Sequence, residues 1–258
     1  MSALLARHRG LVTLGMRETD RVLKLWSQTI AAPVLASFLF IVVFGLSLSG
    51  RIRGIGGVDY AVFIVPGLIT MAMAQAAYAN NSSSVFQARS DRYINDVLAA
   101  PMRWWEVGAG LAFGGFLRAL TIGVSLLVLS LLATDVPLRA PHVLVLTTLL
   151  MLVLFSSLGV LVGVYAETWD QHGFVNNLVI LPLTFLGGVF YSVDVLPSPW
   201  YEVSHVNPIF FLVNAMRYGF LGTSDVAIGI ALLVTAAMAL ACAGWTAAMF
   251  RTGRRLKA

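Results

Sequence analysis

Long apolar runs, each bounded by charged or helix-breaking positions, recur along the chain and set its architecture. A helix needs roughly 20 apolar residues to cross the hydrocarbon core of a bilayer. Six stretches are expected to do so: 30–49, 60–87, 107–134, 143–166, 173–192 and 226–250. Two other stretches depart from this pattern. Over 10–28, Val12, Met16, Leu23 and Trp26 recur near helical period towards Ile30, while Arg17, Asp20, Arg21 and Lys24 share another face. That pattern predicts an interfacial amphipathic helix. Over 186–222, Pro197, Pro199 and Pro208 interrupt any continuous helix and Asp194, Glu202 and Arg217 forbid a plain span. The same stretch carries Phe190, Tyr191, Trp200, Tyr201, Phe210, Phe211 and Tyr218, which would be costly in water. Broken apolar backbone at membrane depth persists only where protein or a water-filled cavity encloses it. The expected fold is therefore all-α and polytopic, with six spans and a re-entrant helical segment over 193–222, between spans five and six.

Composition agrees: 59% of the residues are hydrophobic and only 11% charged, with a mean hydropathy of +0.85. Soluble domains are about a quarter charged. The net charge of +5 does not point to nucleic acid, because the basic residues flank apolar segments instead of gathering on a soluble domain. Short loops rich in lysine and arginine stay on the cytoplasmic side. With both termini inside, Arg7, Arg9, Arg17, Arg21, Lys24, Arg89, Arg92, Arg103, Arg251, Arg254, Arg255 and Lys257 are cytoplasmic. Arg51, Arg53, Arg139 and Arg217 remain outside, and the re-entrant segment falls on the outer side. The first span is expected to stay as an anchor and not to be cleaved as a signal peptide. The single cysteine, Cys242, excludes a disulfide framework.

Residues 88–103 form a loop of their own, with Ile94, Val97 and Leu98 as an apolar stripe beside Arg92, Asn95 and Asp96, and with Pro101 as a stop. Two readings stand for this short helix. It lies on headgroups, with Trp104 and Trp105 in the interfacial belt, or it is a lever that another protein grips.

Further marks run through the chain: Asp20-Arg21 and Leu25-Trp26 ahead of Pro33, then Phe44-Gly45, then Ile64-Val65-Pro66-Gly67-Leu68, then Arg92 through Ala100-Pro101. The most specific is Leu186-Gly187-Gly188-Val189-Phe190-Tyr191, with Leu196-Pro197, Trp200, Asn207-Pro208 and Arg217-Tyr218-Gly219-Phe220-Leu221-Gly222. In this order and spacing the chain resembles ABC transporter type-2 (ABC-2) permeases of the YadH- and NodJ-like subgroup, over essentially its whole length. The resemblance implies a half-transporter of the bacterial inner membrane that dimerises and docks two copies of a separate ATPase subunit. ATP and Mg belong to that partner, and the exported cargo is a drug, a lipid-like molecule or a lipo-oligosaccharide. It further implies a coupling helix at 88–103 that meets the ATPase through Arg92, Ile94, Asn95, Asp96, Leu98 and Pro101. Arg17, Asp20 and Arg21 of a connecting helix at 10–28 stand beside it. Where the family often has glutamate after the coupling-helix isoleucine, this chain has Asn95. The segment after span five becomes an outer gate of short re-entrant helices turning near 197–207, carried by Phe190, Tyr191, Pro197, Trp200, Asn207, Pro208 and Arg217.

The remaining chemistry fits that division of labour. A phosphate-binding P-loop needs glycines followed by lysine and a hydroxyl residue; the only lysines, Lys24 and Lys257, follow leucines. His8, His142, His172 and His205 are scattered without metal-ligand spacing, and no catalytic motif appears, so no metal site or catalytic residue is assigned. An ion-coupled carrier or channel, or an intramembrane enzyme, stands as the alternative; a carrier would carry mid-membrane acids that are missing here. Arg118, inside a span, costs roughly 2.5 to 3.5 kcal/mol to insert and either meets substrate or pairs with a neighbouring carbonyl. Gln75, Asn80, Asn81, Asn176 and Asn177 are expected to bond between helices. The pairs Gly110/Gly114 and Gly159/Gly163 permit close approach without naming a partner. Glu167 and Asp170 are expected to cap helix ends or touch the ATPase.

Overall fold

Helix follows the apolar runs, because backbone groups without water are satisfied only inside a helix or a closed barrel. The computed structural model describes residues 8–48, 57–253 and 255–256, among which every regular element is helical. The expectations for Arg7, Ser49, Arg51, Arg53, Arg254 and Lys257 lie outside the described residues. In chain order, α1 is Arg9–Lys24, a π turn covers Ser27–Ala31, and α2 is Ala32–Leu48. Helix α3 is Tyr60–Ser90, α4 is Ile94–Ala99, α5 is Trp104–Ala133 and α6 is Pro141–Tyr165. Helix α7 is Trp169–Val175, followed by a π turn at Asn176–Ile180 and α8 at Leu181–Leu186. A 3-10 turn at Val193–Val195 leads to α9 (Trp200–Val206), α10 (Pro208–Leu221) and α11 (Ile228–Thr252).

Among the described residues five helices are long and apolar enough to cross a membrane: Ser27–Gly45, α3, α5, α6 and α11. The expected span at 173–192 is not among them. Its helical stretch begins at Trp169 and stops at Leu186, where Gly187 and Gly188 turn the chain, and Asp170, Gln171, His172, Asn176 and Asn177 crowd its first half. The expected helix at 88–103 also shrinks. Helix α3 runs on through Ser90, and only Ile94–Ala99 remain as α4.

Helix α3 occupies the centre of the bundle, packed by α2, α5, α6 and α10. In its most apolar window 83% of the residues are buried, against 28% for α5 and 17% for α11, so the outer helices turn much of their surface away from the protein. Those outward faces carry Leu35, Leu39, Val43, Val124, Val128, Leu233 and Leu240. Monomeric soluble proteins rarely show so much contiguous apolar surface; lipid accepts it.

Small residues let neighbours reach α3. A Cβ on Gly159 of α6 would stand 2.6 Å from the Tyr78 carbonyl oxygen, and one on Gly163 would stand 2.6 Å from that of Ser82. This glycine pair therefore sets the approach of α6 to α3, while Gly110 and Gly114 of α5 receive Leu14 and Glu18 of α1. Asn81 then joins three helices: its Nδ2 donates to the carbonyls of Ala112 (3.2 Å) and Ser156 (3.3 Å), and its Oδ1 accepts from Gly115 N–H (2.8 Å). The expectation of interhelical bonding fails for Gln75, whose buried Nε2 has no partner. It fails too for Asn176, whose Nδ2 donates to adjacent Asn177 (3.1 Å). Asn80 Nδ2 likewise reaches only its neighbour Asn81 (3.4 Å). Arg118 Nε donates to the Thr29 carbonyl in the first π turn at 2.8 Å, so the arginine ties α5 to the α1–α2 junction.

Gly159→Leu is expected to lower stability by about 1–3 kcal/mol through overpacking against the α3 backbone. Thermal unfolding of the detergent-purified chain reads this as a lower midpoint. Gly244→Ala, where a Cβ meets nothing within 4 Å, is expected to leave the midpoint unchanged or higher.

Candidate functional site

At the end of the bundle that carries α1 and α4, the chain reverses through Asp91, Arg92 and Tyr93, with Arg92 in the left-handed region at φ 61°. That conformation costs a non-glycine residue of order 1–2 kcal/mol. Neighbouring bonds hold it: Asp91 N–H donates to the Gln87 carbonyl (2.9 Å) and Arg92 N–H to that of Arg89 (3.0 Å). Ile94 then buries itself completely, in a cluster with Leu14, Val85, Leu111 and Phe250. The Arg17 guanidinium lies 3.9 Å over the Tyr93 ring, bringing α1 against the same turn. Burial raises the Tyr93 phenol above its usual pKa, with Arg17 pulling it back, so the ring stays neutral under its cation.

Buried polar bonds fix this end to the bundle. Glu18 is 1% exposed and its Oε2 accepts from Ser84 Oγ of α3 (2.9 Å) and pairs with Arg21 Nη2 (3.1 Å). Arg21 also donates to the Asn80 carbonyl at 3.0 Å. Arg89 donates to the carbonyls of Val164 and Ala166, closing the C-terminal end of α6. His8 Nδ1 and Glu106 Oε1 lie 2.5 Å apart, and Glu106 Oε2 accepts from Arg103 N–H (2.6 Å), tying the start of α1 to that of α5.

The expected partner-contact residues divide accordingly. Arg92, Asn95, Asp96 and Pro101 are exposed, Leu98 is half-buried, and Arg17 and Asp20 are exposed on α1. Arg17, Asp20 and Arg21 share an open cleft of about 790 Å³ with Asp91 and Tyr93. Ile94 is a correction: the first position of so short a helix faces the bundle, and its side chain is unavailable to a partner. The stripe of Met16, Leu23 and Trp26 is exposed as well, because α1 packs through Leu14, Glu18 and Val22. At the α6–α7 turn Gln171 Oε1 accepts from Glu167 N–H (2.6 Å), and neither Glu167 nor Asp170 caps α7 with its side chain.

At the opposite end, the turn after α8 docks on the first half of α3. A Cβ on Gly67 would stand 2.7 Å from the Val189 carbonyl oxygen, so the glycine after Pro66 is the notch that admits the turn. Tyr60 Oη donates to the Phe190 carbonyl (3.1 Å), and the Phe190 ring packs among Phe40, Phe44 and Phe185. Arg217 is 1% exposed. It donates through Nη2 to the Gly188 carbonyl, lies 4.1 Å over the Phe63 ring and pairs through Nη1 with Asp225 Oδ2 at 3.5 Å. Asp225 also accepts from Ser192 Oγ (3.0 Å) and Val193 N–H (3.1 Å), while its own N–H donates to Asn214 Oδ1 (2.8 Å). One arginine–aspartate pair thus binds the 188–193 turn to α10 and the loop before α11. Asn207 separates α9 from α10: its Oδ1 accepts from Ile209 N–H (3.0 Å) and its Nδ2 donates to the Leu183 carbonyl (2.5 Å). Pro208 opens α10, Tyr191 is half-buried, and Pro197 and Trp200 are exposed.

Glu18, Asn214 and Asp225 are additions to the expected residues. Glu18 was within reach of periodicity, since it lies four positions from both Leu14 and Val22 on the buried face. Asp225 carried no such signal. Among the described residues no group of histidines, cysteines and carboxylates could hold a metal ion.

Membrane-crossing helices around a buried central one, with a short helix hung from its end, describe a polytopic membrane protein. Comparison with known proteins places it further: the family model for the ABC-2 type transporter matches residues 9–221. The chain belongs to that family and is a transmembrane transport permease. It is 38% identical over 251 residues to the inner membrane transport permease YadH of Escherichia coli K12, covering 96% of each chain. It is also 26% identical to nodulation protein J of Rhizobium meliloti, over 80% of each chain. The corresponding protein of Rhizobium leguminosarum bv. trifolii is 28% identical, over 76% of this chain and 77% of the relative.

Removing one partner of a buried ion pair costs about 3–5 kcal/mol, whereas replacing both is much milder. Asp225→Ala is therefore expected to destabilise the chain strongly. The double variant Arg217→Met/Asp225→Ala is expected to recover much of that loss in the same thermal unfolding measurement.

Proposed function

We propose that this chain is the membrane-crossing half of an ATP-binding cassette exporter in a bacterial inner membrane, working as a homodimer with two separate ATPase subunits. The observation that carries this reading is the anchoring of α4. Its inner face is locked through Ile94 and its outer face offers Arg92, Asn95, Asp96 and Pro101, so a push on that surface reaches α3 without slack. Arg17 on Tyr93 brings α1 into the same unit. A helix resting on headgroups would lay its apolar stripe on lipid, whereas here Ile94 is committed to the bundle.

The ATP chemistry lies in the partner, which holds ATP and Mg. Nucleotide binding favours one arrangement of the two ATPase subunits, and the gripped α4 and α1 shift the balance between inward- and outward-facing states through their differential contacts. Both termini are cytoplasmic, the helical stretch from 169 to 186 completes a sixth crossing with the turn that follows it, and α9 with α10 forms the re-entrant pair. In that arrangement Phe190, Tyr191, Pro197, Trp200, Asn207, Pro208 and Arg217 belong to the outer gate. The cargo is a drug, a lipid-like molecule or a lipo-oligosaccharide, in keeping with the apolar character of the spans. Arg118, committed to the Thr29 carbonyl, is a structural residue in this reading.

The complex assembled with the ATPase of the neighbouring reading frame and placed in proteoliposomes is expected to show transport that needs ATP. Arg92→Ala with Asp96→Ala is expected to lower that transport at least about tenfold, the factor that 1.4 kcal/mol of lost coupling yields, with the unfolding midpoint unchanged. Transport by this chain alone, or full coupling in the double variant, would sink the proposal.

A further inference from the structure

We propose that the cleft between α6 and α11, beside the C-terminal turn, binds an anionic phospholipid, with its phosphate against Arg255 and an acyl chain along Leu158, Val162 and Val175. The site is built by the way α11 ends. Gly253 and Arg255 both take left-handed backbone conformations, at φ 66° and 58°. These fold the chain back so that Leu256 is fully buried in the cluster of Leu14 and Phe250. The fold-back sets the Arg255 guanidinium 4.9 Å over the Tyr165 ring. Among the described residues no carboxylate pairs with Arg255. Within the described residues a pre-positioned cation thus faces no carboxylate and can meet an anion.

What continues from the cation identifies the ligand. Tyr165 stacks edge-on with Trp245 at 6.2 Å, and both rings are largely exposed. The two rings line a hollow of mixed character, about 530 Å³, with Ala248, Met249, Thr252 and Arg255. They also line an apolar hollow of about 300 Å³ that runs along Leu158, Val162 and Val175. Leu158 and Val162 lie one to two turns back along α6, inside a membrane-crossing helix, so the cation stands at its end and the apolar hollow runs toward its middle. Tyrosine and tryptophan favour that headgroup level. An anionic head at one end and an apolar tail at the other complement this shape and charge; free phosphate would leave the apolar hollow empty. The proposal rests on the membrane-crossing fold and not on the transport reading.

Native mass spectrometry of the detergent-purified full chain, offered equal dioleoylphosphatidylglycerol and dioleoylphosphatidylcholine, tests it. The wild-type chain is expected to retain the anionic lipid preferentially. Arg255→Gln is expected to cut that preference about fivefold, the factor for about 1 kcal/mol per surface cation, while Arg255→Lys keeps most of it. Inorganic phosphate is expected not to displace the lipid. Equal retention of the two lipids, the same preference in the Gln and Lys variants, or displacement by phosphate overturns the proposal, the last by making the site one for a free anion.

Discussion

Burial of α3 is the constraint on which the rest of the bundle depends. A helix surrounded by other helices in a bilayer gains nothing from excluding water, so its neighbours must be held by close packing and by bonds between polar groups. Helix α3 supplies both. Gly159 and Gly163 of α6 leave room for its backbone at Tyr78 and Ser82, and Asn81 draws α5 and α6 to one amide. Each neighbour that docks there fixes the position of the next, because the same glycines and carbonyls serve more than one contact.

The two ends of α3 carry the two candidate regions. Near its start, Tyr60, Phe63 and Gly67 receive the 188–190 turn and the Arg217 guanidinium. Near its finish, Ser84 meets Glu18, Arg89 closes α6, and the chain passes straight into the α4 turn. At 1.5 Å per residue, 31 residues cover about 45 Å. In the proposed transporter a displacement of α4 therefore has one stiff path to the outer turn. Pro66 removes one backbone bond from that path, beside the notch where Val189 docks.

Charge is admitted to the interior only where its partners are already in place. Arg217 combines an aspartate, a carbonyl and an aromatic face, and Glu18 combines a serine and an arginine. A buried ion left without its partner is strongly destabilising, so these pairs act as registration marks between helices as much as sources of stability. At both ends the further bonds of these residues, Glu18 with Ser84 and Arg217 with the Gly188 carbonyl, join segments distant in sequence.

Hydropathy and length were enough to place most of the helices, because insertion into a bilayer depends on the sum of side-chain transfer energies along a run. The ends of five apolar runs, the isolated loop after α3 and the burial of the 187–193 turn and of α10 were legible as residue types in order, whereas Val195, Trp200, Tyr201, Val203 and Val206 between them stay exposed. Orientation within the bundle was not. Spans apolar on every side lack the periodicity that marks a buried face in a soluble helix, and on α1, where periodicity is present, the order of residues does not say that the face of Leu14 and Val22 turns inward while Met16 and Trp26 turn out. Nor does it pair Arg217 with Asp225 or set Gly159 on Tyr78. Those choices are made when helix meets helix, where fit between backbones and the cost of an unpaired buried charge select one arrangement among many of equal hydropathy.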